Sequence, residues 1–483
     1  MKKTLLLLLP MLLLASQNDT DKRIQALENE LNALKKEVSY HQEDLDERIP
    51  IIEANEKKSI LDRVNFTPEI LLRADNFYYN NRKIEGENTS TSYDLAGNPT
   101  GEQRRDEFTK SFSPSASIRF RLNMDVDLDE IKFHGRMLYM NSSQSNERVC
   151  ILSRDIKTGT AGSAFDVDRA YVDYTPNAAS PYAFTFSFGI LPTTAGTPMQ
   201  YAQNKKRSSM FPALVFDMNT YGMIGTQKIA NDTFIRIVLA KPYTLRPNFY
   251  TYQCNRENID NANIIGLYGD TKFHFLGNSL LSFGANVLHD FRAHPYLGPD
   301  TSSKDSKILG TMLTFGLGID IEKFMDTQTM IFAHTALSNP HPNGQKEDYQ
   351  ISDVQTGLTV AGTPGFTTST YASGTMLNSN GYSLYLGTKY PISQTLNIGA
   401  EYNYGSKYWF SATQGAEDMF NKLATRGQVG EAYLSWQFHK YLNAKLSYMQ
   451  IEESYTGSGG HFGEPAAKDA TQYITSFALE AKF

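Results

Sequence analysis

The residues best placed to do chemistry in this chain are basic side chains spaced two apart. Arg119 and Arg121 alternate with apolar residues, and Lys132 and Arg136 do the same a few residues later. Successive side chains of a β-strand point to opposite faces, so this spacing places the charges on one face and the apolar groups on the other. Fixed positive charges along a narrow wet passage attract anions and repel cations. The pattern therefore predicts electrostatic selection rather than bond-making.

Sequence motifs for catalysis or metal binding are absent. The nine histidines are scattered, and no H-E-x-x-H, C-x-x-C or G-x-S-x-G motif occurs. His289 and Asp290 could form a triad with one of many serines. In a chain this rich in Ser and Asp, however, chance explains such a set better. We expect no enzymatic activity, no catalytic residue, no metal site and no cofactor, and we keep an enzyme as the least favoured class.

Period-two segments that could position these charges follow one another from about residue 64. Segment 115–126 is the clearest, and a tight turn at 128–130 separates it from a second run at 131–139. Runs of about ten residues have the length that a tilted membrane strand requires. Comparable runs lie at 184–190, 281–287, 313–321, 382–386, 396–402, 434–438 and 442–448.

The C-terminal segment 473–483 alternates to its last residue and ends on Phe483. Ser476, Glu480 and Lys482 stand between positions that are mostly apolar, as in a strand with one lipid-facing and one wet side. A soluble domain could end in such a strand by chance. The final strand of outer-membrane barrels resembles it, and this resemblance implies that the barrel-assembly machinery recognises Phe483.

The connections between the runs alternate in length. Seven short and eight long connections imply sixteen strands, with both termini on the same side. Short turns on one side and long loops on the other are typical of outer-membrane barrels, whereas soluble sandwiches and propellers rarely combine this with such long strands. The fold class predicted is all-β, a 16-stranded antiparallel transmembrane β-barrel at 64–483. The short connections lie near 128–130, 175–181, 229–232, 276–278, 323–327, 391–394 and 439–441.

The N-terminus has the features of an export signal. Lys2 and Lys3 precede a short run of leucines, and small residues follow it, so residues 1–17 are a predicted signal peptide. The run is too short to cross a membrane as a helix, and no later segment has 18 uninterrupted apolar residues. With the barrel pattern, this predicts a location in the outer membrane of a Gram-negative bacterium.

Residues 20–50 have the pattern of a coiled coil. Apolar residues recur in an a/d heptad register within 22–48, with Glu, Lys, Gln and Asn at most other positions, and Pro50 ends the segment. A single helix of this kind cannot bury its apolar stripe. Self-association is therefore favoured, and binding to the cell wall or to a periplasmic protein is the alternative. The seam residues are Ile24, Leu27, Leu31, Leu34, Val38, His41 and Leu45.

Composition narrows the partners. The formal net charge is −6, without a basic excess, so we expect no nucleic-acid partner. The mean hydropathy of −0.41 excludes a helical membrane protein but is compatible with a barrel of alternating strands. Cys150 and Cys254 are too few for a disulfide scaffold, although one bond between them is compatible with an oxidising compartment.

The whole plan resembles outer-membrane porins of Gram-negative bacteria, and most of all a porin-like group, best known from epsilonproteobacteria, with a coiled coil before the barrel. Three segments share this resemblance: 168–172, 189–198 and 211–217. It implies that the third outer loop, at 192–218, folds into the lumen and sets its narrowest point. The acidic third-loop motif of general diffusion porins is absent, so their ion-selectivity assignments do not transfer.

Basic residues outnumber acids among the pore-lining candidates. Alternation places five of them on lumen faces, and the third loop adds Lys205, Lys206 and Arg207 and ends at Asp217. Either those three loop residues line the constriction, or they lie at a loop tip and contact lipopolysaccharide phosphates or only water. The strand candidates are Arg119, Arg121, Lys132, Arg136, Arg169 and Asp173.

We interpret the chain as a porin for passive diffusion of small polar or anionic solutes, a homotrimer in contact with outer-membrane lipid and lipopolysaccharide. The alternative is a structural protein that tethers the outer membrane to the cell wall, through peptidoglycan or a periplasmic protein bound by residues 20–50. Conductance measurements separate these two functions. Labelling with a serine-reactive probe tests the least favoured class, an outer-membrane enzyme.

Overall fold

The computed structural model has two units, Met1–Val64 and Asn65–Phe483, which are described separately. No helix among the described residues is long and apolar enough to span a membrane. The predicted signal peptide at 1–17, Cys150 and Cys254 lie outside the described residues. The structure describes residues 22–39, 42, 63–82, 89–93, 99–104, 108–142, 162–242, 262–292, 308–345, 349–353, 367–371, 376–413, 418, 420–455, 465 and 467–483.

The first unit contains a helix, α1, at 22–39, which covers part of the predicted coiled coil. Residues 20–21, 40–41 and 43–50 of that prediction, including His41 and Leu45 of the seam, lie outside the described residues. Every residue of 22–39 is exposed, including the apolar stripe, and Leu27 keeps 64% of its surface accessible. Spacings of three and four residues align such side chains along one face of a helix. Whether this face pairs with another helix stays a prediction.

The second unit forms a closed barrel, and its strands follow from the period-two pattern of the sequence. The strands are β1 (Val64–Arg82), β2 (Thr89–Tyr93), β3 (Pro99–Arg104), β4 (Phe108–Leu128), β5 (Ile131–Ser142), β6 (Gly162–Tyr174), β7 (Phe184–Leu191), β8 (Thr220–Ala230), β9 (Thr233–Pro242), β10 (Asn263–Phe273), β11 (Ser279–Arg292), β12 (Ile308–Ile321), β13 (Met330–Pro342), β14 (Tyr349–Asp353), β15 (Thr367–Tyr371), β16 (Gly381–Pro391), β17 (Leu396–Gly405), β18 (Gly427–His439), β19 (Leu442–Tyr455) and β20 (Ala467–Lys482).

Sixteen of these described strands pair in sequence order and form a closed barrel. The last strand, β20, pairs with the first, β1. The pairs are antiparallel, as in β1 with β20, where Leu72 lies opposite Leu479. The prediction of a 16-stranded antiparallel barrel is therefore confirmed. The other four strands form two hairpins. β2–β3 belongs to the connection between β1 and β4, and β14–β15 to the connection between β13 and β16. The sequence pattern did not predict these hairpins.

The two faces of the wall differ as the alternation predicts. Phe477 of β20 and Phe483, which follows the strand, are about half-exposed on the outside, whereas Ser476 and Glu480 are buried on the inside. The same holds in β9, where Ile237 and Leu239 are exposed and Arg236 is buried. An outward arginine would cost about 2–4 kcal/mol at the midplane of a bilayer, so the sequence determines which face is outside.

The largest apolar cluster lies inside the barrel, where two long connections fold inward. Residues 192–219 follow β7 and contain the short helix α2 (Met199–Gln203), and residues 406–426 follow β17. Phe211 from the first connection packs edge-on against Tyr268 of β10, with ring centroids 4.5 Å apart. The two connections also contact each other, because the amide of Asp217 donates a 3.0 Å hydrogen bond to the carbonyl oxygen of Ala412. The lumen is therefore partly filled.

Candidate pore constriction

The connection 192–219 crosses the lumen from β7 to the opposite wall. Asn204, which follows α2, donates from Nδ2 to Oε1 of Gln437 on β18 at 3.2 Å and accepts at Oδ1 from Nζ of Lys389 on β16 at 2.7 Å. Lys205 forms an ion pair with Glu480 on β20. These contacts join the loop to the far side of the barrel, so the loop divides the lumen cross-section.

The same connection is anchored to the nearer strands by two carboxylates. Asp270 of β10 accepts from Nη2 of Arg207 at 2.7 Å and also binds Arg236 of β9. Asp320 of β12 accepts from the hydroxyl of Thr197 and lies 2.7 Å from Nε2 of His334. Both carboxylates are buried, and each serves two partners, so the loop is fixed on both sides of α2.

Asp217 ends the loop and is completely buried. Its Oδ1 accepts a hydrogen bond from the amide of Ala195 at 2.7 Å, and Oδ2 accepts from the hydroxyl of Thr413 at 3.3 Å. The carboxylate thus joins the two ends of its own loop and binds the second inward connection. In this position Asp217 fixes the loop, and it is not among the residues that line the cavity described below.

A cluster of arginines around one aspartate lies on the inner face of β4–β6. Asp168 accepts from Nε and Nη2 of Arg136, both at 2.7 Å, and Nη2 of Arg121 is 4.0 Å from the same carboxylate. A register shift opposite Arg136 and Met137 adds one residue to β6, which allows Asp168 and Arg169 to face inward together. One carboxylate therefore serves two buried guanidiniums.

Arg169, next to Asp168, donates its hydrogen bonds to the connection 192–219. Its Nη2 donates to the carbonyl oxygen of Thr194 at 3.2 Å, and its Nη1 donates to that of Ser208 at 3.4 Å. These carbonyls lie on either side of α2. Arg169 therefore joins the arginine cluster to the loop.

Between the arginine cluster, the loop and the far wall lies a cavity of about 480 Å³. Six of its lining residues are basic and two are acidic, and several amides complete the wall. The basic excess comes from strands, the loop and a turn that are distant in the sequence. The lining residues are Glu69, Arg121, Arg136, Ala195, Gln200, Gln203, Asn204, Lys205, Lys206, Ser208, Gln437, Lys440, Tyr441, Asn443, Glu480 and Lys482.

The structure brings four of the ten predicted pore residues to this cavity: Arg121, Arg136, Lys205 and Lys206. Arg119, two residues before Arg121, shares its face of β4 but does not line the cavity. Arg169, Arg207 and Asp217 have the anchoring contacts described above.

The last two predicted residues lie near the short turns. Lys132 is exposed and pairs with Asp127 across the β4–β5 turn, with Nζ and Oδ2 2.8 Å apart. Asp173 accepts from the hydroxyl of Ser187 and lies 3.5 Å from Nε2 of His134. Neither lines the cavity.

A second charged cluster occupies the opposite wall, and the sequence did not predict it. Lys422, from the connection 406–426, is buried between Glu401 of β17 and Glu431 of β18, and Nζ of Lys445 lies 2.9 Å from Oε1 of Glu431. Burial alone would lower the pKa of Lys422, but the two carboxylates outweigh it and raise the pKa well above its ordinary value. Positive and negative charges balance in this cluster.

A small cavity of about 70 Å³ lies beside the balanced cluster, and Lys422, Glu431 and Lys445 line it. Gln203 of α2 lines both this cavity and the basic one. The helix therefore separates a basic compartment from a charge-balanced one.

A family described as "Protein of unknown function (DUF3373)" matches residues 110–480, which is more than half of the chain. The chain belongs to this family. The matched region of this DUF3373 member includes the arginine cluster, both inward connections and the balanced cluster. No curated protein matches the chain.

The chain is also similar to solved structures of about its own length. Pseudomonas putida OprB matches 89% of this chain and 97% of its own, with 10% identity and a TM-score of 0.46. The outer membrane channel DcaP of Acinetobacter baumannii matches 87% of this chain and 98% of its own, with 11% identity and a TM-score of 0.41. Salmonella typhi OmpF matches 87% of this chain and 97% of its own, with 10% identity and a TM-score of 0.41. The barrel architecture of this DUF3373 member is established by the pairing of its own strands.

Proposed function

We propose that the chain is an outer-membrane channel for passive diffusion of small polar or anionic solutes. The observation that supports this most is the contrast between the apolar outer face of the wall and the charged and polar side chains on its inner face, around a lumen narrowed by residues 192–219. A closed barrel has no free strand edge, so its backbone is satisfied in lipid. Sixteen strands enclose a lumen wide enough for water unless loops fill it.

The charges around the constriction support a preference for anions. The cavity wall has an excess of four positive charges over its two carboxylates. In a narrow passage with low-dielectric walls, such an excess raises the local concentration of anions and lowers that of cations. Lys206 and Lys440 contribute most directly, because both are exposed and neither forms an ion pair with a described residue.

The apolar stripe of α1 supports a homotrimer assembled in part by a periplasmic coiled coil. Leu31 and Leu34 are each more than half exposed in the single chain. Charging this seam with Leu31→Glu and Leu34→Glu should dissociate oligomers, because burial of these leucines is what drives association. Light scattering of the detergent-solubilised protein measures this. An unchanged mass would assign assembly to the barrel wall and favour the alternative function, a tether between the outer membrane and the cell wall.

The terminal strand supports assembly through the barrel-assembly machinery. Phe483 is exposed on the outer face, and its amide donates to the carbonyl oxygen of Pro68 at 3.1 Å. Removal of Phe483 should lower the amount of protein in the outer membrane, as measured by membrane fractionation. Folded protein should also migrate differently on a gel before and after boiling. Normal assembly without Phe483 would argue against recognition of this residue.

The function itself is tested by reconstitution in planar bilayers. A channel gives discrete conductance steps, and a purely structural barrel with a closed lumen gives none. Heat-dependent migration of the same preparation confirms that folded protein was added. Labelling with a serine-reactive probe tests the least favoured function, an outer-membrane hydrolase, for which we expect no labelling.

A further inference from the structure

The basic cavity has the dimensions and chemistry of a binding site. Its volume of about 480 Å³ is within the range of about 300–1,000 Å³ in which proteins bind small ligands. The wall combines guanidinium, ammonium and amide groups from β4, β5, β18–β20 and the loop. A passage that only excludes cations by charge does not need this many converging polar groups.

The charges of the wall are incompletely compensated from within. Both oxygens of Asp168 are bound to Arg136, Glu480 pairs with Lys205, and Glu69 pairs with Lys482 at 2.9 Å. Lys206 and Lys440 add two further positive charges, and Arg121 lies 4.0 Å from the carboxylate of Asp168 that Arg136 already binds. An anion with a single charge would leave part of this excess unmatched, whereas one with two or three charges would match it.

The amides suggest what else the ligand offers. Gln200 is buried at the cavity wall, and its Oε1 accepts no hydrogen bond from any described residue. A buried acceptor without a donor costs roughly 1–3 kcal/mol, and a hydroxyl group of a ligand would supply the donor. Gln203, Asn204 and Asn443 offer further amide groups around the same space.

We propose that this cavity is a saturable binding site for small hydroxylated organic anions with two or more negative charges, such as hydroxy-polycarboxylates or sugar phosphates. The inference rests on the proposed channel function and specifies its substrate class. Lys206 and Lys440 attract the anion, Arg121 and Arg136 contact its charged oxygens, and Gln200 accepts from its hydroxyl. Transport would then saturate with concentration, unlike simple diffusion.

The test measures the potassium chloride current of reconstituted channels while citrate, tricarballylate, glucose 6-phosphate or glucose is added to one side. Citrate and glucose 6-phosphate should reduce the current saturably, and comparing them separates carboxylate from phosphate recognition. Tricarballylate, which has the three carboxylates of citrate but no hydroxyl, should require a higher concentration. Glucose, which is neutral, should have no effect.

The decisive variant is Lys206→Gln with Lys440→Gln, which should raise the half-saturating citrate concentration about three- to tenfold. Its matched control is Lys132→Gln with Lys323→Gln, which removes the same charge from exposed turn residues outside the cavity and should leave that concentration unchanged. Equal shifts in both variants, or no saturable effect of citrate or glucose 6-phosphate in the wild type, would overturn the site.

Calorimetry on the folded, detergent-solubilised protein separates this inference from the channel function. Binding of citrate without any conductance would contradict the channel but retain the site. Conductance with anion preference but without calorimetric binding of citrate or glucose 6-phosphate would retain the channel and reject the site.

Discussion

The two sides of α2 use buried charge in opposite ways. On the β4–β6 side, one carboxylate, Asp168, serves two arginines, and the adjoining cavity keeps an excess of positive charge. On the β17–β19 side, Lys422 and Lys445 are matched by Glu401 and Glu431. An excess that faces a cavity can act on solutes, whereas a balanced buried network can only hold structure. The comparison therefore predicts that the first side selects solutes and that the second side stabilises the fold.

The largest expected effect comes from breaking the balanced side. Lys422→Met would leave Glu401 and Glu431 buried without their shared cation, which should lower the free energy of unfolding by about 3–5 kcal/mol. Urea unfolding in detergent measures the change. Lys323→Met, at an exposed turn, is the control and should stay within about 0.5 kcal/mol of the wild type. Equal stability of both variants would show that the network is not structural.

A second prediction loosens the constriction from the basic side. A Cβ on Gly196 would collide with the carbonyl oxygen of Phe211, so Gly196→Ala should displace the loop. Single-channel conductance should then rise, because the loop occupies the lumen cross-section. Gly430→Ala is the control, since a Cβ there meets no atom within 4 Å. Unchanged conductance in Gly196→Ala would mean that the loop does not limit the current.

A third prediction changes the charge excess itself. Asp168→Asn would remove the charge of the carboxylate that binds Arg136 and should shift the reversal potential further toward anions. Asp173→Asn, on the same strand but away from the cavity, should produce a smaller shift. Equal shifts would indicate that charge anywhere in the lumen matters as much as charge at the cavity.

The smallest expected effect is the pH response of the balanced side. The folded-state pKa of Lys422 is raised above its unfolded value of about 10.4, with burial opposing the carboxylates of Glu401 and Glu431. Its contribution to stability is therefore complete below about pH 10.4 and is lost only as the pH rises through the folded pKa. The difference in the free energy of unfolding between the wild type and Lys422→Met should therefore stay constant from neutral pH to about pH 10.4. A difference that shrinks near pH 8 would contradict the ion pairs.

The barrel could be predicted from the sequence because its determinants are local. Alternation places each side chain inside or outside, and the order of short and long connections gives the strand count. The positions of Arg121 and Arg136 on the inner face follow from this parity. The bulge in β6 does not follow from parity. The signal that could have revealed it is Asp168, a charged residue at a position that strict alternation would assign to the lipid-facing side.

The cavity and the balanced cluster could not be predicted because they depend on contacts between distant segments. Lys205 meets Glu480, and Lys422 meets Glu401 and Glu431 only because two long connections fold inward. Nothing in the local pattern of 406–426 distinguishes it from an outward loop. The prediction treated Lys205, Lys206 and Arg207 alike, whereas Arg207 anchors the loop through Asp270 and the two lysines line the cavity.

The most direct test of the channel is the reversal potential of the wild-type protein in a planar bilayer under a potassium chloride gradient. We expect anion preference at low salt that fades as the Debye length shortens to ~3 Å near 1 M. Folded protein that gives no conductance would contradict the channel, and clear cation selectivity at low salt would contradict the assignment of the basic cavity as its selective element.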